Sequence, residues 1–576
     1  MTKIIISLYI GKPRKSIFLL RKRKTPVLLD SGGEKQMDIL FAEGSDKKCV
    51  QLLDETMKDL ALDELVTRLT TVPEEKSILR AIMSRIPQNP EDIRYRQSIM
   101  KDLTEQPELR AALYEALPMI KTMKDHAGTR RAVSDSDNAL YTLLSDLRTL
   151  SAYVKTVKYL DGELARFELK SPALVKLKND IHAIMATEDF TTAEEDIAKM
   201  LEDLSTVKSA IIGINFAPDL TIESIAAIEF LPYQTASKYK FAQFAAIFGP
   251  IIQAGQGAMA LTKTLGGRSF NYEDPLLARM APFIEKHLKR HFTDIKKTMA
   301  KYTKMDNRMF TEMYEGLTFY LLCAKFAETL KEQGYETCIP QIEEIPDHSL
   351  ELQDFYNIRL AILGYKEIVK NDFRFSDEEK LFILTGPNRG GKTILEQGIA
   401  LISLMASLGL YVTAHSFRGL PFKNILTHFP IDENLTINYG RLGEEAKRVQ
   451  TIASEADANT LVIFNETYST TSSTDALYLS QDLLHILKDI GAAVIFNTHI
   501  HELARSIPEM NEWEGPGKIV SIVMEIRGDV NTFKLKRSEP DNCSYARNIA
   551  LKYGITYEQM KEKSHAGAAG ATATAK

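Results

Sequence analysis

Leu381-Phe-Ile-Leu-Thr385 is an apolar run that leads directly into Gly386-Pro-Asn-Arg-Gly-Gly391-Lys392-Thr393. The first part reads as a buried strand and the second matches G-x-x-x-x-G-K-[ST], with a helix predicted from near Ile394. A strand that turns through a glycine loop into a helix belongs to a parallel sheet with crossover helices. This one segment therefore fixes the fold class of the C-terminal part. Gly386, Gly390 and Gly391 let the loop backbone curl so that its N–H groups face an anion, and the helix start adds a positive dipole end. Pro387, Asn388 and Arg389 complete the loop. Lys392 is placed to neutralise β and γ phosphates and Thr393 to offer its hydroxyl to Mg2+, so ATP and Mg2+ are the implied ligands.

Two more apolar runs end in polar residues. Thr460 to Phe464 is followed by Asn465-Glu466, where a phosphate-loop protein keeps its metal-side acid and the group that orients water. Glu466 fits the second role. Asn465 stands where an aspartate is usual; it lacks the negative charge but keeps a carbonyl oxygen able to hold a metal-bound water, which predicts slow hydrolysis. Ala492 to Asn497 runs into Thr498-His499, putting a histidine at the same sheet edge to sense the γ-phosphate. The candidate catalytic set is Glu466, His499 and Lys392, with Thr393 and Asn465 on the metal side.

The remaining chain divides by pattern. With 576 residues, several cores are expected. Residues 1 to about 45 alternate apolar stretches with turn signals such as Gly11-Lys12-Pro13. From Val50 to Pro340 the periodicity is helical, broken by prolines and by Ser209 to Asn215, which reads as a strand and turn. The predicted organisation is a small β-rich element over 1–55, a helical region over 56–345, an α/β domain over 346–540, a helical segment over 541–563 and a disordered tail over 564–576. Composition, 44% hydrophobic and 26% charged, is that of a soluble protein. No apolar run approaches the roughly 18 residues of a membrane span, and Met1 to Ile10 lacks the features of a secretory signal, which predicts a cytoplasmic chain. Cys49, Cys323, Cys338 and Cys543 have neither metal-ligand nor disulfide-scaffold spacing. A net charge of −5 excludes a uniformly basic coat but not a local basic face.

The loop Gly386-Pro-Asn-Arg-Gly-Gly-Lys-Thr393 resembles the MutS version of the phosphate loop, with Pro-Asn after the first glycine. Ile402 to Ala414 is similar to the helix and strand that follow it there. Glu466 with Thr471, Ser472 and Asp475 resembles the family's acid-then-Thr-Ser loop, and Thr498-His499 with Glu502-Leu503 its Thr-His and Glu-Leu. Asn371-Asp372-Phe373 sits where the family places an Asn-Asp pair beside adenine, so Asn371 and Phe373 join the candidate nucleotide contacts. Ser544-Tyr545 with Ile549-Ala550 is similar to the segment through which MutS ATPase domains pair, which implies a homodimer. Upstream, Pro87 to Arg110 looks like the start of the MutS helical core. The resemblance thus implies an all-α core and lever region followed by an α/β P-loop ATPase domain of ABC type.

Some features depart from that pattern. The short stretch ahead of the helical core predicts no mismatch-recognition domain, and the Phe-x-Glu triplets at Phe41, Phe283, Phe310 and Phe326 are expected by chance among 25 phenylalanines. In Asn438-Tyr-Gly440-Arg441-Leu-Gly443 the family's trans-acting serine is missing, although Arg441 could add charge. Lys286, Arg290, Lys297, Lys301 and Lys304 recur at helical spacing and are candidate DNA contacts. The implied function is a dimeric, ATP-gated DNA clamp in repair or recombination, outside mismatch recognition proper. An ATP-gated switch that binds a ribosome, RNA or protein is the alternative.

Overall fold

In a computed structural model the described residues are 38–133, 139–204, 208–219, 222–231, 233, 289–302, 308–387, 389–430, 441–469, 471–527, 530–539 and 554–561. The predicted strands before residue 38, the segment 540–553 and the tail lie outside them, as do Asn388, Lys286 and Lys304.

In chain order the first part holds β1 (Cys49–Gln51), α1 (Asp54–Asp59), α2 (Leu62–Leu69), α3 (Pro73–Met83), β2 (Arg85–Pro87), α4 (Pro90–Glu105), α5 (Pro107–Val133), α6 (Ala139–Leu164), α7 (Pro172–Met185) and α8 (Glu188–Leu204). Prolines at the first turns of α3, α4, α5 and α7 mark helix starts, where a missing N–H breaks no bond. Asn89 and Ser171 cap α4 and α7 through their side chains. The predicted strand and turn at 209–215 is one arm of an antiparallel ribbon, β3 (Ser209–Phe216) with β4 (Ile222–Leu231). After it come α9 (Lys289–Met299) and α10 (Arg308–Glu332). Most of α10 is buried, including Phe310, Phe319 and Tyr320, and it packs against α3, α4 and α5. A helix apolar on nearly every face belongs in the middle of a bundle.

The α/β part begins with β5 (Leu350–Phe355), α11 (Ile358–Ile362), β6 (Asn371–Phe375) and β7 (Glu379–Thr385). It continues through α12 (Lys392–Ser407), β8 (Ser416–Arg418), β9 (Asn424–His428), α13 (Arg441–Glu455), β10 (Thr460–Asn465) and α14 (Ser473–Ile490). The last elements are β11 (Ala493–Asn497), α15 (His501–Arg505), α16 (Ile507–Met510), β12 (Lys518–Arg527) and β13 (Val530–Arg537). The main sheet has the order β13-β12-β7-β11-β10-β9, parallel except for the antiparallel edge strand β13. A small antiparallel sheet, β6-β5-β8, lies beside it. Residues of β7, β10 and β11 are buried on both faces, as strands covered by helices must be.

Successive residues of β7 point to different cores. Phe382 and Leu384 join a large cluster that runs unbroken into the helical region, from Ile39 and Leu60 through Phe319 to Ile399 and Ile495. Leu381 and Ile383 join a smaller cluster on the other face with Val462, Phe464, Val494 and Leu484. Polar contacts cross between the two parts as well: Gln88 donates to Lys423 O (2.9 Å) and Gln397 to Asp59 O (2.8 Å). Among the described residues no helix is long and apolar enough to cross a membrane.

Candidate nucleotide site

The parallel strands β7, β11 and β10 end side by side, with Asn497 opposite Leu384 on one flank and Asn465 on the other. Their carboxyl ends open a crevice, the usual ligand position in such sheets. Gly386 follows β7 at φ +141° with its Cα against Met524 of β12, so that a Cβ there would lie 3.1 Å from Met524 Cβ. Gly391, at φ +90°, is the N-cap of α12, and its missing side chain leaves room for the Phe533 ring. Both positions need glycine for conformation and for space. The helix begins at Lys392, earlier than the predicted Ile394, because Gly391 supplies the left-handed turn that ends the loop.

Lys392 is buried and its Nζ donates to Gly386 O and Pro387 O, each at 3.1 Å. Burial lowers its pKa, with the charges of Glu466 and Glu396 opposing. An ammonium held by two neutral carbonyls in a desolvated cradle is set to exchange them for phosphate oxygens. Arg389 is exposed, at φ +64°, and its carbonyl accepts from Asn531 Nδ2 at 3.3 Å. Hairpin β12–β13 thus braces the loop from the side.

Glu466 stands at the end of β10 with φ +52°, an uncommon conformation for a residue with a side chain. Its N–H donates to Asn497 O, and its Oε1 lies 2.6 Å from His499 Nε2. That hydrogen bond is the chief cause of a lowered Glu466 pKa, so the carboxyl is ionised at neutral pH. The sheet therefore brings Lys392, Glu466 and His499 to one crevice. Asn465 is also there: its Nδ2 lies 3.4 Å from Thr393 Oγ1, while its Oδ1 accepts from Asn497 Nδ2 at 2.7 Å.

Not every candidate faces the loop. The strand Asn371-Asp-Phe-Arg-Phe375 alternates, and Phe373 turns inward with its ring centroid 4.9 Å from that of Phe375 and 4.8 Å from that of Phe382. It is a core residue, and the aromatic next to the loop is Phe533, which is 45% exposed. Asn371 clasps β13 instead, donating to Phe533 O (3.1 Å) and accepting from Leu535 N (2.7 Å). In the basic stripe, Lys301 pairs with Asp196 at 3.0 Å, Lys297 is exposed, and the side chain of Arg290 lies outside the described residues, as does that of Arg441 beyond the stripe. Ser472 caps α14 by accepting from Asp475 N.

Sequence reasoning missed several polar neighbours. Glu396 is fully buried on α12 and Asn497 fully buried on β11, joined by a 3.5 Å contact. Behind the sheet edge, His428 Nδ1 meets Thr467 Oγ1 at 2.9 Å, and Arg448 of α13 pairs with Asp59 of α1, which also accepts from Thr427 Oγ1 at 2.7 Å.

The model of MutS domain V matches residues 382–556, which includes the loop, both distal strand ends and hairpin β12–β13. Residues 382–556 therefore carry a MutS domain V. Its MutS relatives include the DNA mismatch repair protein MutS of Acetivibrio thermocellus, 29% identical over 46% of this chain and 29% of the relative. That of Lactobacillus delbrueckii is 24% identical over 55% of this chain and 38% of the relative. For Staphylococcus epidermidis MutS the figures are 32%, 25% and 16%. The matched stretches span well under two thirds of these MutS proteins.

Proposed function

We propose that the crevice binds ATP with Mg2+ and hydrolyses it slowly, and that the nucleotide state governs a DNA-binding clamp built as a dimer. The observation that carries this reading is the convergence of Lys392, Thr393, Asn465 and the Glu466–His499 pair at the ends of three adjacent parallel strands. The loop fits a triphosphate: glycines at Gly386, Gly390 and Gly391 leave the backbone bare, and among the described residues of the loop the charged side chain that is buried is a cation, Lys392. Among the described residues no cluster of three acidic, histidine or cysteine ligands forms a self-sufficient metal cage. That suits Mg2+, which keeps waters and leans on phosphates, and Thr393 and Asn465 would hold its protein side. When bound, Mg2+ neutralises charge on the β and γ phosphates.

In this reading Lys392 leaves Gly386 O and Pro387 O for phosphate oxygens. Glu466 orients the attacking water by accepting its hydrogen bond, and His499 holds Glu466 ionised and in place. A carboxylate with a lowered pKa is a weak base, so its work is orientation, and turnover is slow. Asn371 and Phe533 bound the side of the loop where the nucleoside would lie. The DNA part rests on the domain match and on the printed names of the relatives, with Lys297 and Lys301 exposed described members of the basic stripe.

Binding of a fluorescent ATP analogue, followed by gel-shift of homoduplex, mismatched and four-way-junction DNA and structured RNA across a salt series, tests both halves. ATP-modulated DNA binding that weakens with salt, and that Lys392→Ala cannot regulate, is the expected result. Intact nucleotide binding with no DNA affinity at low salt would overturn the clamp and favour an RNA or protein partner.

A further inference from the structure

Three buried polar side chains meet between α12, β11 and β10 and lead to the cation side of the crevice. Glu396, on α12 one turn beyond Lys392, is fully buried, as is Asn497; Asn465 is 6% exposed. They form a row: Asn497 Nδ2 lies 3.5 Å from Glu396 Oε1 and 2.7 Å from Asn465 Oδ1, and Asn465 Nδ2 lies 3.4 Å from Thr393 Oγ1. Glu396 Oε2 and Asn497 Oδ1 have no hydrogen-bond partner. A carboxyl group buried with one oxygen unsatisfied is costly, and an apolar side chain would fill the same space at less expense. Its presence calls for a role other than packing.

We propose that Glu396 is a positioning residue for the cation site: acting through Asn497, it sets which end of the Asn465 amide faces Thr393. This rests on the reading of the crevice as an ATP–Mg2+ site. A carboxamide offers N–H at one end and C=O at the other, and a half-turn exchanges them. Within the row the turns are coupled, because Asn497 must offer both neighbours a donor or both an acceptor. In one sense Asn497 donates to Glu396 and Asn465, and the Asn465 NH2 faces the Thr393 hydroxyl. In the other sense Glu396 donates to Asn497 Oδ1, Asn465 Nδ2 donates to the same oxygen, and Asn465 turns its carbonyl to Thr393. Mg2+ and its waters need oxygen there. Burial pushes the Glu396 pKa well up, which keeps the donating acid form, while the Asn497 hydrogen bond and the Lys392 charge oppose. The acid absent from position 465 is thus present one layer behind, as a hydrogen-bond donor that aims an amide.

The test measures the affinity of N-methylanthraniloyl-ATP with Mg2+ and with EDTA; the ratio of the two dissociation constants is the readout. Glu396→Gln keeps a donor at the head of the row, and its ratio stays within about twofold of the wild type. Glu396→Met keeps the volume but loses the donor; its ratio falls at least tenfold, about 1.4 kcal/mol, while affinity in EDTA stays within twofold. Asn497→Leu cuts the row at its middle and shows the same pattern, which serves if the methionine variant does not fold. Adding Asn465→Asp to Glu396→Met restores the ratio, since a carboxylate presents oxygen whichever way it turns. An unchanged ratio in both the methionine and the leucine variants, an equal loss in both buffers, or no rescue by the aspartate overturns the proposal. A wild type that binds the probe but gains nothing from Mg2+ overturns it too, and a wild type that does not bind at all overturns the nucleotide-site reading with it.

Discussion

At the scale of single residues, the crevice separates binding from chemistry. Lys392→Ala removes the buried cation of the cradle and abolishes binding of the fluorescent nucleotide, measured by titration. Glu466→Gln keeps the shape and the neighbouring histidine, so nucleotide affinity holds while single-turnover hydrolysis falls about 10²- to 10⁴-fold. His428 gives a pH signature that belongs to folding. Burial, seconded by the Arg448 charge, lowers its pKa from 6.5 to about 4, so the folded protein binds that proton only in stronger acid than the unfolded chain does. Between those values the unfolded state holds more protons, so stability rises with pH there; the contribution is complete above about 6.5 and is lost on acidification. From pH 7 to pH 5 the loss from this group is about 2 kcal/mol. Thermal melts of His428→Gln across that window show a flatter acid limb than the wild type; parallel curves would refute the assignment.

The elements differ in how much of them was legible in the sequence. Strands β7, β10 and β11 could be read because each is a short, continuous apolar run, and the places of the loop, Glu466 and His499 because they follow directly on a strand end. Glu396 could not: in Lys392-Thr-Ile-Leu-Glu396-Gln it looks like any surface glutamate of a helix, and only the sheet lying over α12 buries it. Phe533 was hidden in a strand rich in lysine, while Phe373 was misjudged because the inward alternation of β6 was not applied to it. Ribbon β3–β4 was half visible, since Ser209–Phe216 is β-branched whereas its partner reads equally as helix. Docking between elements is a matter of tertiary contact and leaves no local mark. Helix α1 meets β9 and α13 through the buried Asp59–Arg448 pair, whose side chains are 9% and 12% exposed. Arg448→Met strands the carboxylate and lowers stability by about 3–5 kcal/mol in denaturant titrations, whereas Asp59→Leu combined with Arg448→Met costs less than the single change. Gly409, at φ +75°, closes α12 against α4, and a Cβ there would sit 2.6 Å from Arg96 Cβ. Gly409→Ala adds left-handed strain to that clash and lowers the melting temperature, while Gly334→Ala, also at positive φ but with open space, lowers it less.

For the whole molecule, the large apolar cluster has no seam where the helices end and the sheet begins. Leu60, Ile93, Phe319 and Leu330 belong to the same body as Leu384, Ile399, Leu410 and Ile495. Movement of the helices therefore cannot be independent of the crevice at the strand ends, since α12 carries Lys392 on its first turn and the shared core along its length. The same continuity bears on how such a chain can be cut and recombined. A fragment starting near residue 346 would bare the apolar flank of α12 and β5 to water, and by ordinary transfer energies each large side chain so exposed forfeits about 1.5–3 kcal/mol. The α/β part is in this sense not a cassette: a chimera that replaced it alone would inherit a surface shaped for another neighbour, and the natural unit of exchange is the sheet together with the helices that roof it.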